Sequence, residues 1–500
     1  MALRLRIIVA VLLLAGCLFE SNGQTLTILH VFTGSVTDPN DGGFPYGGVV
    51  QGSDGNFYGT TLLGGTVSFN QWNGNGVVYR IDTNGSYSIL YQFQGYPARD
   101  GSYPEKVELA EGPDGNFYGT TYNGGSSDPL GNQIGIGTVF RVSPAGIETN
   151  LHGFSVSVDG AYPSGGLVLG HDGNFYGTAS SGHSYPPCCG NVFVMTPSGT
   201  LTPLHFFSGT PDGNFPQGTL VQGNDGKFYG ITFLGGTTNK TFYYPGFGTV
   251  FRIGGDGSYT NLHAFKGPPD DGALPEYGLV LASDGYLYGT TPQGGSYGGG
   301  IVFRIGSDGT YTNIYSFGAN PSDASHPYGS LLQGSDGYLY GTTTGGGTGT
   351  NCTHGCGTIF RMSLAGALTT LYSFNVDDGS NPTSLRQASD GVFYGTTQSG
   401  GGYSNVCPGG CGVVFKFSVP LTPPANQIMA INASSSNIVL SISSVAHETY
   451  QLQFSPTLNP TNWLNVPNVS VTNSIGALLT VTNFGGAAGS QGFYRFAITP

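Results

Sequence analysis

The segment Asp54-Gly55-Asn56-Phe57-Tyr58-Gly59-Thr60-Thr61 returns along the chain, and that repetition constrains the fold more than any other feature. Its central tyrosine reappears at Tyr118, Tyr176, Tyr229, Tyr288, Tyr340 and Tyr394, at spacings of 60, 58, 53, 59, 52 and 54 residues. A unit of this size cannot bury its own apolar face and must stack on its neighbours. Each unit parses into four short strands. Strand a is a run such as Gly166-Leu167-Val168-Leu169. An Asp-Gly dipeptide, which suits the backbone of a two-residue hairpin, leads to strand b, here Asn174 to Thr178. A glycine-rich loop leads to strand c, such as Gly248 to Ile253, and a second tight turn to strand d, such as Tyr259 to Phe265. Four strands at this period mark a propeller blade.

The ends set the count. A strand d ending in phenylalanine follows a strand c six times, at Phe93, Phe154, Phe207, Phe265, Phe317 and Phe374. A seventh copy, Leu29-His30-Val31-Phe32, stands alone at the start, while the last strand c, Gly412 to Phe417, has no successor. The reading is an all-β, seven-bladed β-propeller closed by its N-terminal strand, an arrangement that removes two exposed edges. The 87 glycines, 30 tyrosines and 31 phenylalanines suit short strands joined by tight turns, and helical periodicity is confined to the leader.

The pattern Asp-Gly-Asn-Phe-Tyr-Gly-Thr-Thr, then Gly-Gly, then Gly-Thr-Val-Phe-Arg, resembles the GloVer tandem repeat over roughly residues 25–418. The resemblance is to choice-of-anchor tandem repeat GloVer-containing proteins of verrucomicrobia and other bacteria. It implies export and surface attachment or release, and no particular activity or catalytic residues. The terminal sorting helix with a basic tail, often found in that family, is not apparent. Instead a proline-rich linker (419–426) leads to a module (427–500) in which Ile438 to Ile442, Tyr450 to Phe454 and Phe493 to Phe496 read as strands, with Trp463 as a further core aromatic. The module is expected to be a small β-sandwich, resembling the C-terminal modules ending in Phe-Tyr-Arg on exported verrucomicrobial proteins.

Residues 1–23 read as a signal peptide: Arg4 and Arg6 precede the apolar run Ile7 to Leu14, which is too short to span a bilayer. Leu14-Ala15-Gly16-Cys17 resembles a lipobox that would place a lipid on Cys17, and Ser21-Asn22-Gly23 offers the alternative of ordinary cleavage before Gln24. Either way the chain is exported, to the cell surface or beyond, and no transmembrane segment follows. A net charge of −13 without a basic run excludes a nucleic-acid partner and disfavours an anionic membrane. The remaining cysteines favour disulfides: Cys352 with Cys356, Cys407 with Cys411, and the adjacent Cys188 and Cys189 as a vicinal bridge or reduced. Four thiolates in adjacent blades are the zinc alternative.

The b–c loops vary between blades and carry aromatic residues, so their face is the candidate ligand surface. Trp72, Tyr122, Tyr185, Phe242, Tyr243, Tyr244, Tyr297 and Tyr403 are the candidate contacts, with Phe69 and Phe247 beside them. The alternative for each ring is packing of its loop onto the blade. Asp41, Asp100, Asp159, Asp212, Asp271, Asp323 and Asp378 each precede a proline by four residues, a ring of carboxylates or, more simply, seven turn caps. His30, His152, His205 and His263 occupy one packing position, where tyrosine substitutes. His183, His326 and His354 are unique, and a metal site built from them would draw on three blades. Glu105 and Glu276 follow crossing prolines and are weak candidates for an acid–base pair on a glycoside. No cofactor or metal is expected. The function expected is a non-catalytic binding module for a polysaccharide or exported protein. The alternatives are a glycosidase or lyase on the same scaffold, and a structural envelope or matrix component.

Overall fold

The computed structural model describes residues 24–419 apart from loop segments 35–40, 66–73, 96–97, 126–134, 157, 183–188, 238–245, 320–322, 350–351, 353, 403–406 and 408, and beyond these the backbone of six strands between 428 and 499. The chain divides into two compact units, one of which is residues 24–332 with 339–418. This unit holds seven four-stranded antiparallel sheets. Blade 1 runs Val50–Gln51, Phe57–Thr61, Val77–Ile81 and Tyr87–Gln92 as strands a to d, and blades 2 to 6 repeat it. In blade 7 the strands are Ser380–Gln387, Phe393–Ser399 and Val413–Ser418, and strand d is Thr25–Val31, paired antiparallel to Val413–Ser418. The ring therefore closes through its N-terminal strand, as the repeat count required. In the other unit, Ile428–Ser434, Asn437–Ser443 and Leu478–Asn483 form one three-stranded sheet, and Leu464–Thr472, Thr449–Ser455 and Phe493–Thr499 form a second. This is the two-sheet makeup expected of a small β-sandwich; Trp463 lies outside the described residues.

Strand b supplies the seam between blades because its two aromatic positions point to opposite faces. Tyr58 stacks on Phe117 of the next blade with ring centroids 3.8 Å apart. The contact recurs as Tyr118 on Phe175, Tyr176 on Phe228, Tyr340 on Phe393 and, closing the circle, Tyr394 on Phe57. In blades 5 and 6 leucines, Leu287 and Leu339, take the phenylalanine position and pack in the clusters of Tyr229 and Tyr288. Each buried phenol needs an acceptor. Asp54 takes the hydroxyl hydrogen of Tyr58 at 2.7 Å, and Asp114, Asp172, Asp225, Asp284 and Asp390 do the same for their own tyrosines. Burial acts to raise the Asp54 carboxyl, but bonds from Asn56 and Tyr58 outweigh it and hold it below its ordinary value.

The a–b turn corrects one sequence expectation. The Gly55 amide donates to Gly52 O and the Gly52 amide to Asn56 O, so the loop has three residues, and only Gly55 among them takes a positive φ (84°). This is a tight turn followed by a left-handed glycine, not a two-residue hairpin. The aspartate is retained for its bond to the tyrosine.

A second seam lies at the d–a crossings. The residue before each crossing proline is left-handed in all seven blades: Phe44, Tyr103, Tyr162, Phe215, Leu274, His326 and Asn381, with φ between 53° and 58°. Such a backbone is costly for residues other than glycine and persists only where the surroundings impose it. Here each amide donates to a carbonyl of the preceding blade, as Tyr103 does to Asn75 and Asn381 to Cys356. Each proline then lies on the glycine that follows that carbonyl. A Cβ placed on Gly76, Gly137, Gly190, Gly248, Gly300, Gly357 or Gly412 would stand 2.5–2.8 Å from the proline Cδ. The seven crossing aspartates bind the crossing itself. Asp41, Asp159, Asp212 and Asp271 meet His30, His152, His205 and His263 at 2.7–3.2 Å, and Asp100, Asp323 and Asp378 accept from Tyr91, Tyr315 and Tyr372. Most also take crossing amides, such as those of Gln94 and Gly95 on Asp100.

The histidine and aspartate rings are thus joinery, and blade 2 departs from it. Tyr87, Tyr259 and Tyr311 stack face to face on His30, His205 and His263. The equivalent residue in blade 2 is Glu148, beside Tyr91 and Asp100. Burial and the Asp100 charge raise its carboxyl to about 7.

Two predictions follow from these seams. Gly137→Ala meets Pro163 and a left-handed backbone at once, and should lose about 2–4 kcal/mol in urea denaturation. Gly115→Ala, with nothing within 4 Å of its Cβ, should lose only about 1 kcal/mol. For Glu148 the raised value means the folded state favours the protonated form. Its contribution is complete below the ordinary value of 4.5 and is lost as pH rises through about 7. The advantage of Glu148→Gln in melting temperature should therefore grow across that window, and a difference independent of pH would refute the assignment.

Candidate functional site

The crossings deliver strand a to the ring axis, and glycine lets neighbouring strands close upon it. A Cβ on Gly47 would lie 2.2 Å from Val107 O, on Gly166 2.5 Å from Glu108 O, and on Gly278 2.4 Å from Thr219 O. The axial cavity they leave is about 10 Å³, room for one water at most. What the axis offers is a mouth, where Tyr46, Lys106, Glu276 and Tyr277, one or two residues beyond their crossing prolines, line the cavity.

The residues after the seven crossing prolines vary between blades: Tyr46, Glu105 with Lys106, Ser164, Gln217, Glu276 with Tyr277, Tyr328 and Thr383. The start of the a–b turn follows the crossing proline by seven residues in five blades, as Gly52 follows Pro45, but by eight in blade 2 (Pro104 to Gly112). The extra residue is accommodated by a left-handed backbone at Lys106 (φ 55°). The Lys106 Nζ reaches Glu276 Oε2 of blade 5 at 3.0 Å and lies 5.5 Å from the centre of the Tyr277 ring. Both members of the ion pair are about one-fifth exposed. Tyr277 packs on Tyr328 with ring centroids 4.3 Å apart. Burial, and then the Glu105 charge, raise the phenol of Tyr46. The Tyr122 phenol is raised by the same two causes and by Tyr162. Glu105 thus sits among Tyr46, Tyr122 and Tyr277. Tyr122 directly follows strand b of blade 2 (Phe117–Thr121) and stacks on Tyr162 of the next crossing at 4.9 Å, both rings half-buried.

The structure sorts the sequence candidates. Of the aromatic contacts, Tyr122 joins the mouth and Tyr297 stands 61% exposed on its loop, while Phe247 is buried in the blade core. Trp72, Phe69, Tyr185, Phe242, Tyr243, Tyr244 and Tyr403 lie outside the described residues, as do His183, Cys17 and Cys188. Glu276 bonds Lys106, a partner the sequence reading did not give it. His326 and His354 belong to one blade rather than two, and burial, then the nearby His354, lowers the His326 ring. Among the described residues no three His, Cys, Asp or Glu side chains are gathered to hold a metal. Cys352–Cys356 and Cys407–Cys411 are disulfides, each pinning a b–c loop. The sequence places Glu105 and Glu276 near the channel mouth, but it does not single out Lys106, Tyr46 or Tyr277 beside them. The available signal was the contrast between a fixed proline and the changing residues on either side of it.

A model of the Gloeobacter/Verrucomicrobia repeat matches residues 15–241 and again 187–415. The chain belongs to the Gloeobacter/Verrucomicrobia repeat family. No curated protein matches the sequence. Solved structures resemble the chain at low identity. A fungal alcohol oxidase of the AA5 family, in complex with copper, is 13% identical at a TM-score of 0.48, covering 95% of this chain and 98% of its own. PorZ, a bacterial surface component of the type-IX secretion system of Porphyromonas gingivalis, is 15% identical at 0.45, covering 89% and 56%. A putative glucose dehydrogenase of Thermus thermophilus is 15% identical at 0.40, covering 79% and 100%. Among the described residues of this family member, no helix is long and apolar enough to cross a membrane.

The ion pair at the mouth gives a direct test. Lys106→Met leaves Glu276 half-buried without its partner and should cost about 1–2 kcal/mol. Adding Glu276→Gln should recover most of it. Additive losses in the double variant would mean the two side chains do not interact.

Proposed function

We propose that this protein is an exported β-propeller, at the cell surface or beyond it, that binds a polysaccharide without cleaving it, through the axial mouth and the b–c loops around it. One observation carries the reading. Tyr122 and Tyr162 form a stacked, half-open pair of rings beside Glu105, on the face where the blades cease to be alike. An aromatic face next to a polar group suits the apolar face and hydroxyls of a sugar ring. Tyr297 extends the same chemistry outward. Two loop disulfides suit an oxidising compartment, in keeping with the leader-like N-terminus. The absence of catalysis is proposed because the repeated histidines and aspartates serve the crossings and Glu276 is engaged by Lys106. A glycosidase needs two carboxyl groups available to substrate.

The test is affinity electrophoresis of the full-length secreted chain in gels containing xylan, laminarin, alginate or pectin. One polymer should retard it, and both Tyr122→Ala and Trp72→Ala should reduce the retardation. Free passage through all four gels would refute polysaccharide binding and favour a protein ligand or a structural role. Release of reducing sugar from the retarding polymer, lost in Glu105→Gln, would replace binding by catalysis.

A further inference from the structure

Four of the seven cysteines pair as disulfides on b–c loops, and Cys188 and Cys189 adjoin each other, which leaves Cys17 as the odd one. It stands where the apolar run Ile7 to Leu14 gives way to two small residues, Ala15 and Gly16. The competing cleavage point after Gly23 lies nine residues past the end of that run, with Leu18, Phe19 and Glu20 between. The propeller shows where a tether from Cys17 would join it. Strand d of blade 7 starts at Thr25, opposite Ser418 at the end of strand c, and finishes at Val31, opposite Val413 beside the b–c loop. The chain therefore enters the ring on the face of the a–b and c–d turns, while the b–c loops, the crossings and the mouth open on the other face. Only seven residues, 18–24, separate Cys17 from the strand, a reach of about 25 Å at full extension. Strand d carries the opposite face a further ~20 Å away.

Charge does not draw this face to an anionic bilayer. The net charge is −13, and the turns here carry Asp54, Asp82, Asp114, Asp256 and Asp308. Attachment needs a covalent lipid. We infer that Cys17 is lipidated and that strand d of blade 7 tethers the propeller to a membrane, with the mouth and the b–c loops facing away from the lipid. The donor is a phosphatidylglycerol-type lipid. The Cys17 Sγ–carbon bond forms as the bond from the diacylglyceryl carbon to the phosphate oxygen breaks, and the departing glycerol phosphate takes the electron pair and the thiol proton. Hydrolysis of the Gly16–Cys17 peptide bond by water then frees the Cys17 amine. One diacylglyceryl group brings two acyl chains, which suffice for stable anchoring. This rests on the export reading above and deepens it, because it states how the chain is held and which face stays free to meet a ligand.

The full-length chain is expressed in a bacterium that processes lipoproteins and is fed an alkyne-tagged fatty acid. The chain should take up the tag, begin at Cys17 by intact mass, and fractionate with membranes, and Cys17→Ser should take up none. An untagged soluble chain beginning at Gln24 overturns the anchor and leaves export and polysaccharide binding in place. An unprocessed chain in the cytoplasm brings down the export reading as well. Orientation is read on the purified lipidated chain in phosphatidylcholine vesicles, from the rate at which a polyethylene-glycol maleimide modifies an introduced cysteine. Ile147→Cys, on a c–d turn and 70% exposed as isoleucine, should react several-fold more slowly on vesicles than in detergent. Tyr297→Cys, on a b–c loop and 61% exposed as tyrosine, should react at an unchanged rate. Circular dichroism checks that both variants fold. Slowing at neither position, at both equally, or at Tyr297→Cys alone overturns the outward-facing mouth.

Discussion

Every seam of the ring closes where the proline of one blade rests on the glycine of the blade before it. That contact requires a glycine with positive φ on one side and a left-handed residue before proline on the other. Neither conformation is favourable alone. Each is held because the amide between them bonds across the seam, while the aspartate below fixes the crossing that brings them together. The tyrosine on phenylalanine stack adds apolar area to the same seam deeper in the blade. The seams therefore couple backbone strain, hydrogen bonding and packing in one joint, repeated seven times around the ring.

That repetition explains what could be read in advance. Strand order, blade number and closure were legible because the same residues solve the same problem seven times. Coincidence at one position in one blade is noise, but at Tyr58 and its six counterparts it is structure. The two tight disulfides were legible for the same reason, since each spans four positions in an equivalent loop. The turn type was not. Asp54-Gly55 carries the dipeptide of a two-residue hairpin, yet the aspartate serves Tyr58 and the loop takes an extra residue.

Most of the lining of the mouth was illegible for a different reason. Its residues are defined by register against the axis, and the one-residue insertion at Lys106 shifts that register in a single blade. Glu105 and Glu276 stood out as departures from the repeat, but their pairing as two catalytic acids was inferred from type alone. The lysine that engages one of them lies next to the other in sequence and across the axis in space. Aromatic residues on the loops attracted attention by composition, whereas Tyr162, on a crossing, did not.

The closing strand has a consequence for how the molecule comes into being. Thr25–Val31 is made first, and its partner Val413–Ser418 is made almost last. A chain leaving the ribosome or a translocation pore N-terminus first carries an unpaired edge strand until nearly the whole propeller has followed. Contacts this distant in sequence are slow to form. Blades 1 to 6 can build outward from their local hairpins, but blade 7 must wait. The ring is therefore an assembly whose first and last pieces are the same joint, and until that joint is made blade 7 keeps an open edge on each side of the gap.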